Sequence, residues 1–177
     1  GRIHFTGARM KNPPRSFLGA AINPFTTPGH IPIRRLKQKA AAGADFIQTQ
    51  MIFDLDHFQE FMADYCGQNL HRDLFLLAGI PVVISQKALN MLPHIPGVKL
   101  PPAVAERFAQ AKDLKQEGIQ FAREMVEAVR ETPGVRGVHL MLFGSNHAVL
   151  PGIINVLGNV YGPIKPQNHR RKNQPGL

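Results

Sequence analysis

The sequence predicts an α/β fold built on a parallel sheet, and three observations carry that expectation. Four short runs are apolar and almost uncharged: 16–24 (SFLGAAINP), 44–53 (ADFIQTQMIF), 74–84 (LFLLAGIPVVI) and 137–144 (GVHLMLFG). Runs of this kind read as strands buried on both faces, as parallel strands are. Amphipathic helical patterns separate them, and strands that alternate with helices imply right-handed crossovers within one parallel sheet. Neither GxGxxG nor GxxxxGK[ST] follows any run, so the common dinucleotide and P-loop signatures are absent. Periodicity alone leaves a closed barrel and an open sheet equally admissible.

Each element has a local reason. Asn23-Pro24 ends the first run. Ile33, Leu36 and Ala40 then share a helical face over 33–42, and Gly43 is a stop. After the second run, Asp54 is placed to cap a helix over 55–65 in which Leu55, Phe58, Phe61 and Met62 form one stripe. Beyond the third run, Ser85 can cap a short helix through Met91, and Pro101-Pro102 can open another over 102–111. The clearest amphipathic pattern is 115–131, with Ile119, Ala122, Met125, Val126 and Val129 on one side and Lys and Glu on the other. Past the fourth run, Ser145 can cap a helix toward Val156, with Pro151 limiting its start or kinking it.

A length of 177 residues allows one domain with a real core, assigned here to 1–158. Residues 159–177 are rich in Pro, Gly, Asn and Gln and read as a basic, disordered tail. No apolar stretch is long enough to span a membrane. The N-terminal segment lacks the apolar centre of a secretory signal, and its first residue, Gly1, fits a processed or incomplete chain. One cysteine, Cys66, excludes an internal disulfide framework and suits a reducing, cytoplasmic setting. The net charge of +9 lies at the ends: +8 over 1–44, −3 over 45–158 and +4 over 159–177. Basic ends attract phosphates or acidic partners. No nucleic-acid-binding motif accompanies them, and nucleic acid is not the expected partner.

Ligands of parallel α/β proteins bind at the C-terminal ends of the strands, so the polar residues there are the candidates. Alternation within Ile47-Gln48-Thr49-Gln50 puts both glutamines on one face and Thr49 on the other. A buried amide without partners is costly, so Gln50 either belongs to an internal polar layer or bonds an amide-like heterocycle, to which it can both donate and accept. His139 and His147 read as packed or solvated histidines, Cys66 as a small buried hydrophobe, and Lys39 with Arg35 as a solvated helix face. No metal-ligand spacing and no Gly-x-Ser-x-Gly elbow occurs.

The motifs FLGAAINPF, LKQKAAAGADFIQTQMIFD, LLAGI, IPGVKLPPAVAERF, EGIQFAREMVEAV and GVHLMLFG occur in the order seen in methylenetetrahydrofolate reductases. Over roughly residues 1–158 the chain resembles that family, most specifically in K-x-x-x-G-A-x-x-x-x-T-Q-x-x-F-D from Lys39 to Asp54. The resemblance implies a parallel β/α barrel of the TIM-barrel type, of which about four βα units, the C-terminal half, are present. It also implies a flavin enzyme of one-carbon metabolism. Such an enzyme holds FAD and passes hydride from NAD(P)H to 5,10-methylenetetrahydrofolate, giving 5-methyltetrahydrofolate. In that frame Ala20, Ile22 and Asn23 line the FAD, Lys39 lies near its phosphates, and Gln50, Met141 and Phe143 face the folate.

The family pattern is broken at Val82, where a usual G-I-L-P reads Gly79-Ile80-Pro81-Val82, at Gln86 in place of an aromatic, and at Ser145 in place of an arginine. The family's catalytic acids lie on strands before those matched here, so no catalytic residue is assigned. Expected partners are a folate substrate and either a second copy of the chain or a complementary N-terminal half. A non-catalytic half-barrel that docks on a partner chain is the alternative reading.

Overall fold

A computed structural model describes residues 16–142 and 150–158. Its centre is a four-stranded sheet: β1 (Gly19–Ile22), β2 (Phe46–Met51), β3 (Phe75–Val82) and β4 (Val135–Leu142). The strands lie in the order β1-β2-β3-β4, and every neighbouring pair is parallel. Six α-helices connect and flank them: α1 (His30–Ala41), α2 (Leu55–Gly67), α3 (Gln86–Met91), α4 (Pro102–Ala109), α5 (Leu114–Arg130) and α6 (Leu150–Gly158). Single 3₁₀ turns follow α2 and α3, at Leu70–Arg72 and Leu92–His94. The parallel order and the intervening helices are those of a partial β/α barrel.

One face of the sheet is dry. Ile47 on β2 and Leu76, Ala78, Ile80 and Val82 on β3 are fully buried, as are Leu36 of α1, Phe58 of α2 and Val126 and Val129 of α5. At about 25 cal/mol per Å² of apolar surface, this layer is the main driving force for folding. The opposite face is open, with Gly19, Ala21 and Gln48 exposed. Near the strand N-termini an aromatic group sits on that face: Phe17, 57% exposed, stacks on Phe46 with ring centroids 5.4 Å apart, and Phe75 lies 6.3 Å from it.

β1, β2 and β3 are shorter than their apolar runs, whereas β4 begins two residues before its own. β1 begins only after Leu18, whose N–H donates to the Asp45 carboxylate at 2.7 Å, and it stops before Pro24, which has no N–H for a ladder. α1 starts three residues earlier than its apolar stripe. Pro32 falls in its first turn, where N–H groups have no intrahelical partner anyway. The expected caps form: the Asp54 carboxylate accepts from His57 N at 3.0 Å, and Ser85 Oγ accepts from Ala88 N at 3.2 Å. Asp113, which the helical pattern did not reach, caps α5 through Lys115 N and Gln116 N at 2.9 and 3.1 Å. α6 is described from Leu150, with Pro151 its second described residue. Ser145 and the tail beyond 158 lie outside the described residues.

α4 and α5 are tied together by Arg107. Its guanidinium donates to Glu117 at 2.5 Å and, through both terminal nitrogens, to Glu124 at 2.6 and 3.1 Å, and it lies 5.4 Å from the Phe121 ring centroid. Hydrogen bonding to Arg107 is the main reason the Glu124 carboxyl titrates below the usual range, and the same bond raises Arg107.

Candidate site at the strand C-termini

The ends of β1 and β2 converge on the loop that follows the 3₁₀ turn at Leu92–His94. Asn23 turns the chain out of β1: its Oδ1 accepts from Phe25 N at 3.0 Å, and Thr26 Oγ1 donates to its main-chain carbonyl at 3.2 Å. That leaves the Nδ2 group, which donates to the carbonyl of Gly97 at 3.0 Å.

Gln50 lies one strand over, where the register slips. Gln48 pairs with Leu77 but Met51 with Gly79, so one extra residue of β2 is accommodated as a bulge. Thr49 repairs the ladder. Its hydroxyl accepts from Gly79 N at 2.8 Å and donates to the Gln50 carbonyl at 2.9 Å, and the side chain is only 2% exposed. Met51 N–H then has no ladder partner at that point and donates to Gln50 Oε1 at 3.1 Å, while Gln50 Nε2 donates to the Pro96 carbonyl at 3.2 Å. Two amides, from two strands, therefore hold two successive carbonyls of one loop. A primary amide has two donors and two acceptor lone pairs, so Gln50 keeps one N–H and one lone pair for a ligand.

β4 adds His139 beside this group. Gly79 pairs with His139, and the ring Nε2 lies 3.1 Å from the carbonyl of Thr49, reaching across β3. His139 is thus a packed histidine, as expected, with its ring held by a main-chain carbonyl. A polar ring in the apolar stretch 137–142, opposite a glycine of β3, was the signal available for its partner.

The residues singled out in the sequence fall into three groups. Asn23 and Gln50 are brought together at the rim through Pro96 and Gly97. Met141 pairs with Pro81 and shares a strand face with His139, and it is half-buried. Ala20 and Ile22 instead pair with Ile47 and Thr49, the buried residues of β2, so their side chains point into the helix-covered layer and only their backbone can border a ligand. Ala21 is the β1 residue whose side chain is on the open face. Lys39 is in the last turn of α1, and its carbonyl accepts from Ala44 N just before β2 begins. A helix joining two parallel strands runs opposite to them, so Lys39 stands at the far end of the sheet from Asn23 and Gln50. Phe143 lies outside the described residues.

Other reactive groups are structural. The Tyr65 hydroxyl donates to the Leu74 carbonyl, and burial pushes its titration well above the ordinary phenol range. Cys66 is half-buried with its Sγ 3.4 Å from the Pro133 carbonyl, and burial raises the thiol, which disfavours the nucleophilic thiolate. Among the described residues no group of three or more His, Cys, Asp or Glu could hold a metal ion, and no helix is long and apolar enough to cross a membrane. Gln50 fits the donor–acceptor edge of a flavin, pterin or nicotinamide ring. The cation expected for a flavin's phosphates, Lys39, is not at this rim, so the fit is to the ring portion.

The family model described as methylenetetrahydrofolate reductase matches residues 26–158. Lys39, Gln50, Met141 and Phe143 fall within that match, and Ala20, Ile22 and Asn23 precede it. A rice protein (Oryza sativa subsp. japonica) named "Probable methylenetetrahydrofolate reductase (NADH)" is 31% identical over 127 residues, covering 70% of this chain and 21% of that protein. "Methylenetetrahydrofolate reductase (NADH) 1" of Arabidopsis thaliana is 30% identical over the same shares. The matched stretch is thus about a fifth of the length of these relatives. Among solved structures, an uncharacterized protein from Clostridium thermocellum, described as binding two copies of 5-methyl-5,6,7,8-tetrahydrofolic acid, superimposes with a TM-score of 0.61. It is 16% identical and covers 81% of this chain and 53% of that one, a likeness of fold.

Proposed function

Because the chain belongs to the methylenetetrahydrofolate reductase family, we propose that it contributes the second half of the barrel of a flavin-dependent reductase of one-carbon metabolism. The reaction is reduction of 5,10-methylenetetrahydrofolate to 5-methyltetrahydrofolate with a reduced nicotinamide. The names of the plant relatives support NADH as the reductant. FAD, when bound, supplies the hydride relay, and the protein supplies position and electrostatics. The whole of residues 1–158 serves as the barrel portion, 159–177 is a tail outside it, and the setting is the cytoplasm.

The observation that carries this reading is Gln50. It stands at the C-terminal end of a parallel strand, within the matched stretch, with one amide donor and one acceptor uncommitted. That pair suits the edge of a pterin, flavin or nicotinamide ring. In this reading Met141 borders the folate side of the same opening, Asn23 with the backbone at Ala20 and Ile22 borders the flavin side, and Phe143, outside the described residues, is assigned to the folate by resemblance alone. Lys39 is left out of this set by its place at the other end of α1. The folate named for the Clostridium thermocellum structure agrees with a folate ligand.

The test is flavin absorbance of the purified protein beside NADH oxidation driven by 5,10-methylenetetrahydrofolate. Once the chain is joined to an N-terminal half that carries the family's catalytic acids, bound flavin and folate-dependent oxidation, both weakened by Gln50→Ala, are the expected result. Turnover untouched by Gln50→Ala would overturn the site. The open edges of the sheet favour a second reading, a non-catalytic half-barrel that docks on a complementary chain. Protein that carries no flavin and oxidises no NADH, yet binds such a chain, would establish that reading instead.

A further inference from the structure

We infer that Asn23 and Gly97 are positioning residues for the Gln50 amide: together they hold the Pro96–Gly97 carbonyls where they lock that amide in a single orientation. The inference rests on the reading of Gln50 as the ligand-facing group. Neither Asn23 nor Gly97 need touch the ligand for it to hold.

An unrestrained glutamine amide can flip, and a flip exchanges donor for acceptor toward whatever it faces. Here both ends are specified. Oε1 accepts from Met51 N, and Nε2 donates to the Pro96 carbonyl. Reversal would set the NH₂ against the Met51 N–H and the Oε1 against the Pro96 oxygen, two repulsive contacts in place of two bonds. The lock works only if the Pro96 carbonyl stays in place, and proline offers no N–H of its own to fix it.

The next residue does that work. The Gly97 carbonyl accepts from Asn23 Nδ2 at 3.0 Å. Gly97 has a φ of +78°, and a Cβ there would lie 2.3 Å from Asn23 Nδ2. Glycine is therefore required twice, for the backbone conformation and for the approach of the amide. Asn23 is itself fixed by the bond its Oδ1 accepts from Phe25 N. The chain of restraint runs from the turn after β1, through Asn23, the loop 96–97 and Gln50, to the bulge in β2.

The decisive variant is Asn23→Asp. It keeps the oxygen that accepts from Phe25 N and replaces the donor to Gly97 with a carboxylate oxygen, which repels that carbonyl. In protein labelled with ¹⁵N at glutamine side chains, the Gln50 NH₂ signal is identified by its loss in Gln50→Ala. We expect wild-type Gln50 to show one slowly exchanging NH₂ pair. In Asn23→Asp and in Gly97→Ala that protection should fall, and binding of 5-methyltetrahydrofolate should weaken about fivefold to tenfold. Thermal unfolding midpoints separate this from loss of fold, and Asn23→Asp is the milder change because the turn cap survives. An unprotected Gln50 signal in the wild type, or Asn23→Asp with signal and affinity unchanged, would overturn the inference. If Gln50→Ala binds 5-methyltetrahydrofolate as well as wild type does, the functional reading fails instead, and the NMR signal still decides the positioning claim.

Discussion

His139 on β4 contacts the main-chain carbonyl of Thr49 on β2 at 3.1 Å, although the two strands are not neighbours. β3 lies between them, and the contact is possible because the intervening residue is Gly79. A Cβ at that position would meet the Thr49 carbonyl at 2.6 Å, the Gln50 carbonyl at 3.0 Å and His139 Nε2 at 3.0 Å. Three strands are thus fastened together at the bulge that aims Gln50, and the fastening depends on a missing methyl group.

Gly79→Ala is therefore expected to cost about 1–3 kcal/mol, the usual range for overpacking a closed site, since two of the three atoms it meets are backbone and cannot swing aside. It should also disturb Gln50, whose carbonyl is one of those atoms. Chemical denaturation measures the first effect and ligand affinity the second. A variant as stable as wild type would show that the β2 bulge relaxes freely.

Two helical glycines should respond in opposite directions to the same substitution. A Cβ on Gly118 of α5 would lie 1.7 Å from the Val83 carbonyl, so the helix would have to move off the end of β3. A Cβ on Gly67, the last residue of α2, meets nothing within 4 Å and its φ is not positive. Gly118→Ala should lower the unfolding midpoint markedly, whereas Gly67→Ala should hold it or raise stability by up to about 1 kcal/mol through helix propensity. Parallel thermal melts decide this, and equal effects would mean that α5 does not rest on Val83.

These glycines mark where the sequence stopped being legible. The parallel sense and the Asp54 and Ser85 caps followed from period and composition, which are local. The open side of Gln48 followed from alternation. Gln50 keeps the alternation, between buried Thr49 and Met51, but the bulge between Gln48 and Met51 was not legible, because it arises from pairing with β3, which no window of β2 contains. Ala20 and Ile22 were placed at a ligand by resemblance, but alternation in β1 turns their side chains into the core and leaves Ala21 facing out. Lys39 sits on the matched segment, and the direction of α1 carries it to the end of the sheet away from Asn23 and Gln50. The grip of Asn23 and Gln50 on Pro96–Gly97 joins residues 74 and 46 positions apart. Such contacts depend on tertiary closure and leave no trace in local pattern.

The Arg107 cluster should make acid stability depend on one carboxylate. Glu124 titrates below the usual range, chiefly because Arg107 hydrogen-bonds it, so its contribution is complete above its unfolded value of about 4.3 and is lost as pH falls through the lower folded value. Both side chains are partly exposed, 35% and 43%, which limits the whole interaction to about 1 kcal/mol. Arg107→Ala should then be less stable than wild type near neutral pH, and the gap should narrow below about pH 4. Denaturation curves across pH 3–7 test the sign. A gap that stays constant down to pH 3 would mean that the Phe121 contact, not Glu124, dominates.

The last expectation concerns the edges of the sheet. Among the described residues β1 and β4 each pair on one side only, so both expose unpaired N–H and C=O groups, and parallel strands with free edges template further pairing. The face between them is open, and Phe17, 57% exposed, lies beside Phe46 and Phe75 near the strand N-termini. A closed barrel of this type uses eight strands and about 250 residues. Produced by itself, the 177-residue chain should therefore self-associate at micromolar concentration, and light scattering should give a mass well above 19.6 kDa. Phe17→Lys should reduce that association without unfolding the sheet, because the ring it removes is more than half exposed and a charge on an open face opposes stacking between copies. A monodisperse monomer, or association indifferent to Phe17→Lys, would show that the open face is not what drives the chain to a partner.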